Sequence, residues 1–225
     1  AAVARGESLV PWPNRVRTAF PGIVGALAAV TTVGLSTVPK IRPRHVPYVA
    51  LGTAAIGGVG WFIGKQRIDA LAAESAALDA GLTQPPQSPF VSGSAESVID
   101  YSLLGREGAR FVHSVSSDTG QFDVVRTSNP IRVFVSVLNA PTIEDRVALA
   151  LEELERLKAF DRDYLLIQAP AGSGYANSTP VDVLELLSGG NCATVVVSYG
   201  LLPSFLSINK VEYAGQTQRA LLEAI

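Results

Sequence analysis

Cysteine, histidine and methionine are scarce in this sequence: its 225 residues include one Cys, two His and no Met. A single cysteine, Cys192, excludes an intramolecular disulfide, and with two histidines it leaves no Cys/His cluster for a metal ion. Cys192 is expected to be a small buried residue of a strand, as free cysteines usually are. A translated chain begins with Met, whereas this one begins with Ala1, so we expect a piece of a longer polypeptide.

A strong excess of charge is also missing. The formal net charge is −2, whereas a nucleic-acid surface needs a basic excess, so no nucleic-acid partner is expected. Neither a Walker A motif nor G-x-G-x-x-G occurs, which disfavours nucleotide binding. The sequence therefore predicts no cofactor and no metal site.

Charged residues are absent from two stretches near the start. One stretch has 22 residues between Arg17 and Lys40, and the other has 19 between His45 and Lys65. At about 1.5 Å per residue, a helix of either length can cross a hydrocarbon core of about 30 Å. We predict two transmembrane helices, at about 19–38 and 46–64, in a membrane segment over 1–70, and a multi-pass cell-membrane protein of undecided orientation. The alternative is that both are buried helices of a soluble protein.

Small residues recur in both stretches at a spacing of four, as in Gly60-x-x-x-Gly64. This spacing lets helices approach closely in a bilayer. The expected partners are membrane lipids and other transmembrane helices, from the same chain or from partner subunits.

Residues 71–110 are predicted to form a connector. Residues 68–82 are Ala-rich with a few acids and predict a short amphipathic helix, and the Pro-rich segment 84–89 marks a linker. The segment Gly105-Arg106-Glu107-Gly108 and its continuation to 112 is interpreted as a turn with a solvated charge cluster.

Strand and helix patterns alternate in the third region, 111–225. The strands are predicted at 131–138, 164–169 and 192–199, the last buried on both faces. Helices are predicted after Thr142, with Asp145 completing a capping box; at 180–187, with Ser178 or Thr179 as cap; and at 211–225. This alternation predicts an α/β fold with a mostly parallel sheet and flanking helices.

The loop after the second predicted strand is the strongest candidate site. Its residues are Ala171, Gly172, Ser173, Gly174 and Tyr175. Sites in parallel sheets form where strands end, and N–H groups freed by glycines can face an anion or a developing oxyanion. The alternative is a tight turn between a strand and a helix.

No catalytic residue is predicted in this chain. The segment Gly6-Glu7-Ser8-Leu9-Val10 begins like a nucleophile elbow but ends in Val and has no strand before it, so we attribute it to chance. His45 is expected at the membrane interface. His113 is expected in a surface or capping role.

Seven ordered segments carry a family resemblance. They are Gly-Arg-Glu-Gly at 105–108 with Phe-Val at 111–112, Pro-Ile-Arg-Val-Phe-Val at 130–135, Ala-Pro-Thr at 140–142, Leu-Ala-Leu-Glu-Glu-Leu-Glu-Arg at 149–156, Ala-Phe-Asp-Arg at 159–162, Pro-Ala-Gly-Ser-Gly-Tyr at 170–175, and Tyr-Gly-Leu-Leu-Pro-Ser-Phe-Leu-Ser at 199–207. Together they resemble the actinobacterial membrane-embedded α/β-hydrolase family, family 9 of that fold, which has its own N-terminal membrane domain. The resemblance covers roughly residues 100–225.

The resemblance implies a serine hydrolase acting on an ester or acyl substrate, such as a lipid. It also implies that the nucleophile, the acid and the His lie beyond the part of the domain present here. The loop 171–175 falls where the fold places part of an oxyanion hole. Tyr175 stands where the family more often has Trp, and Ala171 and Ser173 stand where Thr is common, which leaves specificity open. The alternative is a non-catalytic accessory subunit of a membrane complex.

Overall fold

The computed structural model describes residues 46–115, 126–203, 206–207 and 211–225. The chain divides into two compact units, Ala1–Arg67 and Ile68–Ile225. Helix α1 (Val46–Ala76) contains the predicted span 46–64, and the predicted span 19–38 lies outside the described residues. Within the described ranges, no helix is both long and apolar enough to cross a membrane.

The sheet of the second unit contains three parallel strands: β1 (Ile131–Val135), β2 (Tyr164–Ile167) and β3 (Cys192–Val197). Their spatial order is β1-β3-β2, so the last strand lies in the centre. In register, Ile131 lies beside Ala193 and Tyr164 beside Cys192. The predicted parallel sheet is confirmed. β1 ends three residues before its predicted end, and β2 and β3 end two residues before theirs, because the strands give way to loops at Ser136, Gln168 and Ser198.

Burial follows from the strand order. Every residue of β1 and β3 is buried, whereas β2, at the edge of the described sheet, is partly exposed. Cys192 lies buried in β3 as expected, and burial raises the pKa of its thiol. The central position of β3 explains its continuous apolar run, because helices cover both faces of such a strand.

Four α-helices of the described residues accompany the strands: α2 (Gly105–His113), which precedes them, and α3 (Ile143–Arg156), α4 (Ser178–Leu187) and α5 (Val211–Ala224). Thr142 is confirmed as the cap of α3, because its hydroxyl accepts a hydrogen bond from the Asp145 N–H at 3.0 Å. The capping box is not formed as predicted, because the Asp145 carboxylate accepts from the Thr142 hydroxyl and not from the Thr142 N–H. The predicted cap of α4 is wrong. Asn177 fills that position, and its side-chain oxygen accepts from the Thr179 N–H at 3.1 Å. The helix therefore begins before Pro180.

The cap of α3 supports a first prediction. Replacing Thr142 by Ala removes the acceptor for the Asp145 N–H and should lower the free energy of unfolding by about 0.5–2 kcal/mol. Replacing Thr142 by Ser keeps the hydroxyl and should preserve most of the stability. Denaturant unfolding followed by circular dichroism compares the two variants, and equal losses would show that the hydroxyl does not act as a cap.

Part of the segment assigned to a connector lies against the sheet. Val91 forms a parallel bridge with Arg132, and the Ser92 N–H donates to the Arg132 carbonyl at 2.9 Å. Fully buried Glu153 holds the next loop, because its carboxylate accepts from the Ser97 hydroxyl at 2.7 Å and the Val98 N–H at 3.2 Å. Residues 90–99 are thus fixed to both β1 and α3.

The segment interpreted as a solvated turn is instead a helix, α2 (Gly105–His113). Its inner face, which includes Ala109, Phe111 and Val112, is buried. A Cβ atom added to Gly108 would lie 2.7 Å from the ring of Phe134, so glycine here permits close packing on β1. The prediction failed because this glycine serves packing and not a turn. The helix predicted over 68–82 is the last part of α1, and it ends at Ala76 and not at residue 82.

Candidate functional site

The candidate loop leaves the carboxyl end of β2 and leads into α4. The Ala171 N–H donates to the Tyr175 carbonyl at 2.8 Å, and the Gly174 N–H donates back to the Ala171 carbonyl at 2.9 Å. These two bonds close a compact turn, which Gly174 completes with a φ of 88°. The alternative of a tight strand-to-helix turn is therefore correct as a description of the backbone, and it is compatible with a binding role.

Two backbone N–H groups at the tip of this turn donate no hydrogen bond within the described part of the chain. Among the described residues, no group accepts a hydrogen bond from the N–H of Gly172 or of Ser173. Unpaired N–H groups at a strand's carboxyl end are what an oxyanion needs, because they need no reorganisation when the charge develops.

The back of the loop is tightly packed. A Cβ atom added to Gly172 would lie 2.6 Å from the Cβ of Ser207 and 3.1 Å from the carbonyl oxygen of Leu202. Ser207 is itself held in place, because its hydroxyl donates to the Leu202 carbonyl at 2.9 Å. The chain that follows β3 thus supports the loop from behind, and only glycine fits at 172.

The ends of the other two strands reach the same place. The Ser198 N–H donates to the Val135 carbonyl at 2.8 Å, and the Ser198 hydroxyl donates to the Gly200 carbonyl at 3.0 Å. Ser136, Ser198 and Gly174 line one small recess. The carboxyl ends of the three described strands therefore converge on the loop, as expected for a site in a parallel sheet.

A larger cleft opens beside the loop, with a volume of about 390 Å³. One wall comes from α2 and the residue after it: Glu107, Arg110, Phe111 and Ser114. The other wall comes from the loop and the start of α4: Ser173, Tyr175, Ala176 and Ser178. This volume lies within the range of about 300–1,000 Å³ that is usual for small-molecule pockets.

The five predicted site residues differ in their exposure. Gly172 and Gly174 are buried, Ala171 and Ser173 are partly buried, and Tyr175 is 52% exposed. Only Ser173 and Tyr175 of the five border the cleft. Their role in an oxyanion hole stays a prediction.

The groups around His113 hold neighbouring segments of the chain together. Its Nε2 atom lies 3.0 Å from the hydroxyl of Tyr101, which donates to the Leu82 carbonyl at 2.6 Å. Burial raises the pKa of Tyr101. His45 and the segment 6–10 lie outside the described residues. Over the ranges that are described, no three His, Cys, Asp or Glu side chains come together as a metal site.

Sequence reasoning missed the α2 wall of the cleft. A signal was present, because the buried residues Leu104, Gly108, Phe111 and Val112 follow the i, i+4, i+7, i+8 spacing of a helix face. The signal was overlooked because Gly105 and Gly108 flank the charged pair Arg106-Glu107, a composition that is typical of a turn. The helical spacing of the apolar residues, given more weight than the glycine content, predicts that Glu107 and Arg110 lie on one helix.

A parallel sheet with flanking helices and a candidate loop at its carboxyl edge defines an α/β protein, a class in which ligands bind where strands end. Residues 131–225 match the model of the alpha/beta-hydrolase family, and residues 46–115 match the model of that family's N-terminus. The chain therefore contains a domain of α/β-hydrolase family 9. No curated protein and no solved structure is significantly similar to the chain.

Proposed function

We propose that this chain belongs to a serine hydrolase of ester or acyl substrates, in which the loop 171–175 supplies part of the oxyanion hole. The observation that carries the proposal is the pair of N–H groups, on Gly172 and Ser173, without an acceptor among the described residues. In α/β-hydrolases, one oxyanion donor comes from a strand-to-helix loop ahead of the nucleophile. The position of residues 171–175, between β2 and α4, agrees with that arrangement.

We further propose that the protein is anchored in the cell membrane through residues 19–38 and 46–64, with a lipid or acyl ester as its substrate. The support is the absence of charge from 18–39 and from 46–64. Towards the end of the second stretch, Trp61, Phe62 and Ile63 have exposed side chains, at 69%, 55% and 51%. Adjacent exposed apolar side chains are typical of surfaces that meet lipid or another protein.

A fluorophosphonate probe tests the hydrolase proposal on the purified native protein. The expected result is one covalent adduct: a serine oxygen bonds to phosphorus, fluoride leaves, and the base takes the hydroxyl proton. Protein unfolded by heat before the probe is added is the control and should not react. Absence of labelling in the native protein would contradict the proposal.

The second candidate function is a non-catalytic accessory subunit of a membrane complex. It is favoured by the adjacent exposed side chains of Trp61, Phe62 and Ile63, because such a surface can meet another protein as well as lipid. The same probe separates the two functions, because an accessory subunit would remain unlabelled in its native state.

A further inference from the structure

One fully buried guanidinium, that of Arg132 on β1, holds the two helices beside the cleft, α2 and α4. Towards α2, Arg132 donates to the Phe111 carbonyl at 3.1 Å and to the Ser114 hydroxyl at 2.5 Å. Its guanidinium carbon also lies 5.3 Å from the centre of the Phe111 ring.

Towards α4, the same guanidinium pairs with two carboxylates. Its Nε donates to Glu185 at 2.6 Å, and its Nη2 donates to Asp182 at 2.7 Å. Because Arg132 bonds to α2 with Ser114 on one side and to α4 on the other, it fixes the spacing of these two helices before any ligand arrives. A preformed cleft reduces the entropic cost of binding.

The charged groups in and around the cleft are paired with one another, with a small acidic excess. Arg110 pairs with Asp79 at 2.6 Å and with Glu107 at 3.0 Å, and the hydrogen bond to Asp79 is the main reason that its pKa is raised. Arg106, on the same helix, pairs with Glu74 at 2.8 Å. Two guanidinium groups thus meet three carboxylates, so the field of this wall does not favour an anionic ligand.

Beside the paired Glu107 and Arg110, the cleft combines uncharged hydroxyl groups with one exposed aromatic ring. The Ser178 hydroxyl has no hydrogen-bond partner in the described part of the chain, and the Ser173 hydroxyl accepts only a 3.4 Å contact from the Tyr175 N–H. Each hydroxyl can therefore both donate and accept. Tyr175, which is 52% exposed, adds ring surface at the cleft, whereas the Phe111 ring is buried against Arg132. Hydroxyls beside an aromatic ring suit a ligand whose own hydroxyls alternate with C–H groups.

We infer that the cleft binds an uncharged, hydroxyl-bearing part of the substrate, such as a sugar or glycerol group, next to the oxyanion loop. The assignment to a substrate rests on the proposed function. Ser173 links the two sites, because it borders the cleft and contributes one of the unpaired N–H groups. The ester of such a group could then lie at the loop while its hydroxyls occupy the cleft.

Saturation-transfer NMR on the purified full chain tests this inference without any turnover. Four probes are compared: methyl α-glucopyranoside and glycerol as hydroxyl-bearing ligands, glycerol 3-phosphate as an anion and choline as a cation. The neutral probes should give the stronger signals, and the stronger of these two distinguishes a sugar from a glycerol group. Replacing Tyr175 by Ala should weaken their binding about three- to tenfold, as expected for the loss of one aromatic contact.

Tyr213 on α5 provides the matched control, because it is 53% exposed, close to the 52% of Tyr175, and does not line the cleft. Its replacement by Ala should leave binding unchanged. Equal effects of the two substitutions, preferred binding of glycerol 3-phosphate or choline, or no binding of a neutral probe would overturn the inference. Neutral-probe binding by a protein that the fluorophosphonate does not label would refute the hydrolase proposal alone.

Discussion

Replacing Arg132 by Met should lower the free energy of unfolding by about 3–5 kcal/mol, the usual cost of removing one partner of a buried ion pair. The loss arises because the carboxylate of Glu185 would remain buried without its cationic partner. Glu185 has a side chain that is 2% exposed, and one of its oxygens already lacks a partner among the described residues. Asp182 contributes less, because it is 39% exposed and water can solvate it.

Denaturant unfolding of the purified protein measures this loss, with Arg110→Met as the matched control. Arg110 also contacts two carboxylates, but its side chain is 49% exposed, so its replacement should cost less than about 1 kcal/mol. Replacing Arg132 by Met and Glu185 by Leu together should recover part of the loss, because no buried carboxylate then remains unpaired. A loss for Arg132→Met no greater than that for Arg110→Met would contradict the interpretation.

The elements that follow strong local rules were predictable from the sequence. Val, Ile and Phe dominate β1 and β3, and the Thr142–Asp145 pair marks the start of α3. These are short-range preferences that the tertiary structure does not reverse. The parallel arrangement followed in turn, because helices separate the strands along the chain.

Features that depend on distant contacts were not predictable. Arg132 interrupts an apolar strand, and nothing near it in sequence indicates that its partners lie at 111, 114, 182 and 185. Gly108 presented the same difficulty, since the ring it packs against belongs to Phe134. The loop of the candidate site was locatable because a local rule, the position after a strand, applies to it. The cleft was not predictable, because one of its walls is α2, which lies more than 50 residues before the loop in sequence.

Replacing Gly172 by Pro should lower kcat for ester hydrolysis by about 10²-fold in the enzyme that carries this domain, as for the loss of one oxyanion donor. Proline has no N–H, so the donor at 172 disappears. The φ angle of Gly172 lies outside the left-handed region, so proline at this position avoids the strain that a positive φ would impose. Because an oxyanion forms only in the transition state, KM should change little. Hydrolysis of 4-nitrophenyl butyrate provides the measurement.

The packing behind the loop sets the control for this experiment. Any side chain at 172 would meet Ser207 at 2.6 Å, so proline would disturb the loop as well as remove the donor. Replacing Ser207 by Gly removes that obstacle and leaves the Leu202 carbonyl oxygen, at 3.1 Å, as the nearest neighbour of a Cβ atom at 172. Gly172→Ala in the same background adds this Cβ atom while retaining the N–H. The alanine variant should keep kcat within about threefold of the Ser207→Gly parent, whereas the proline variant should show the full loss of about 10²-fold. If alanine and proline reduced kcat equally, the loop would act through its shape, and the N–H of residue 172 would not be an oxyanion donor.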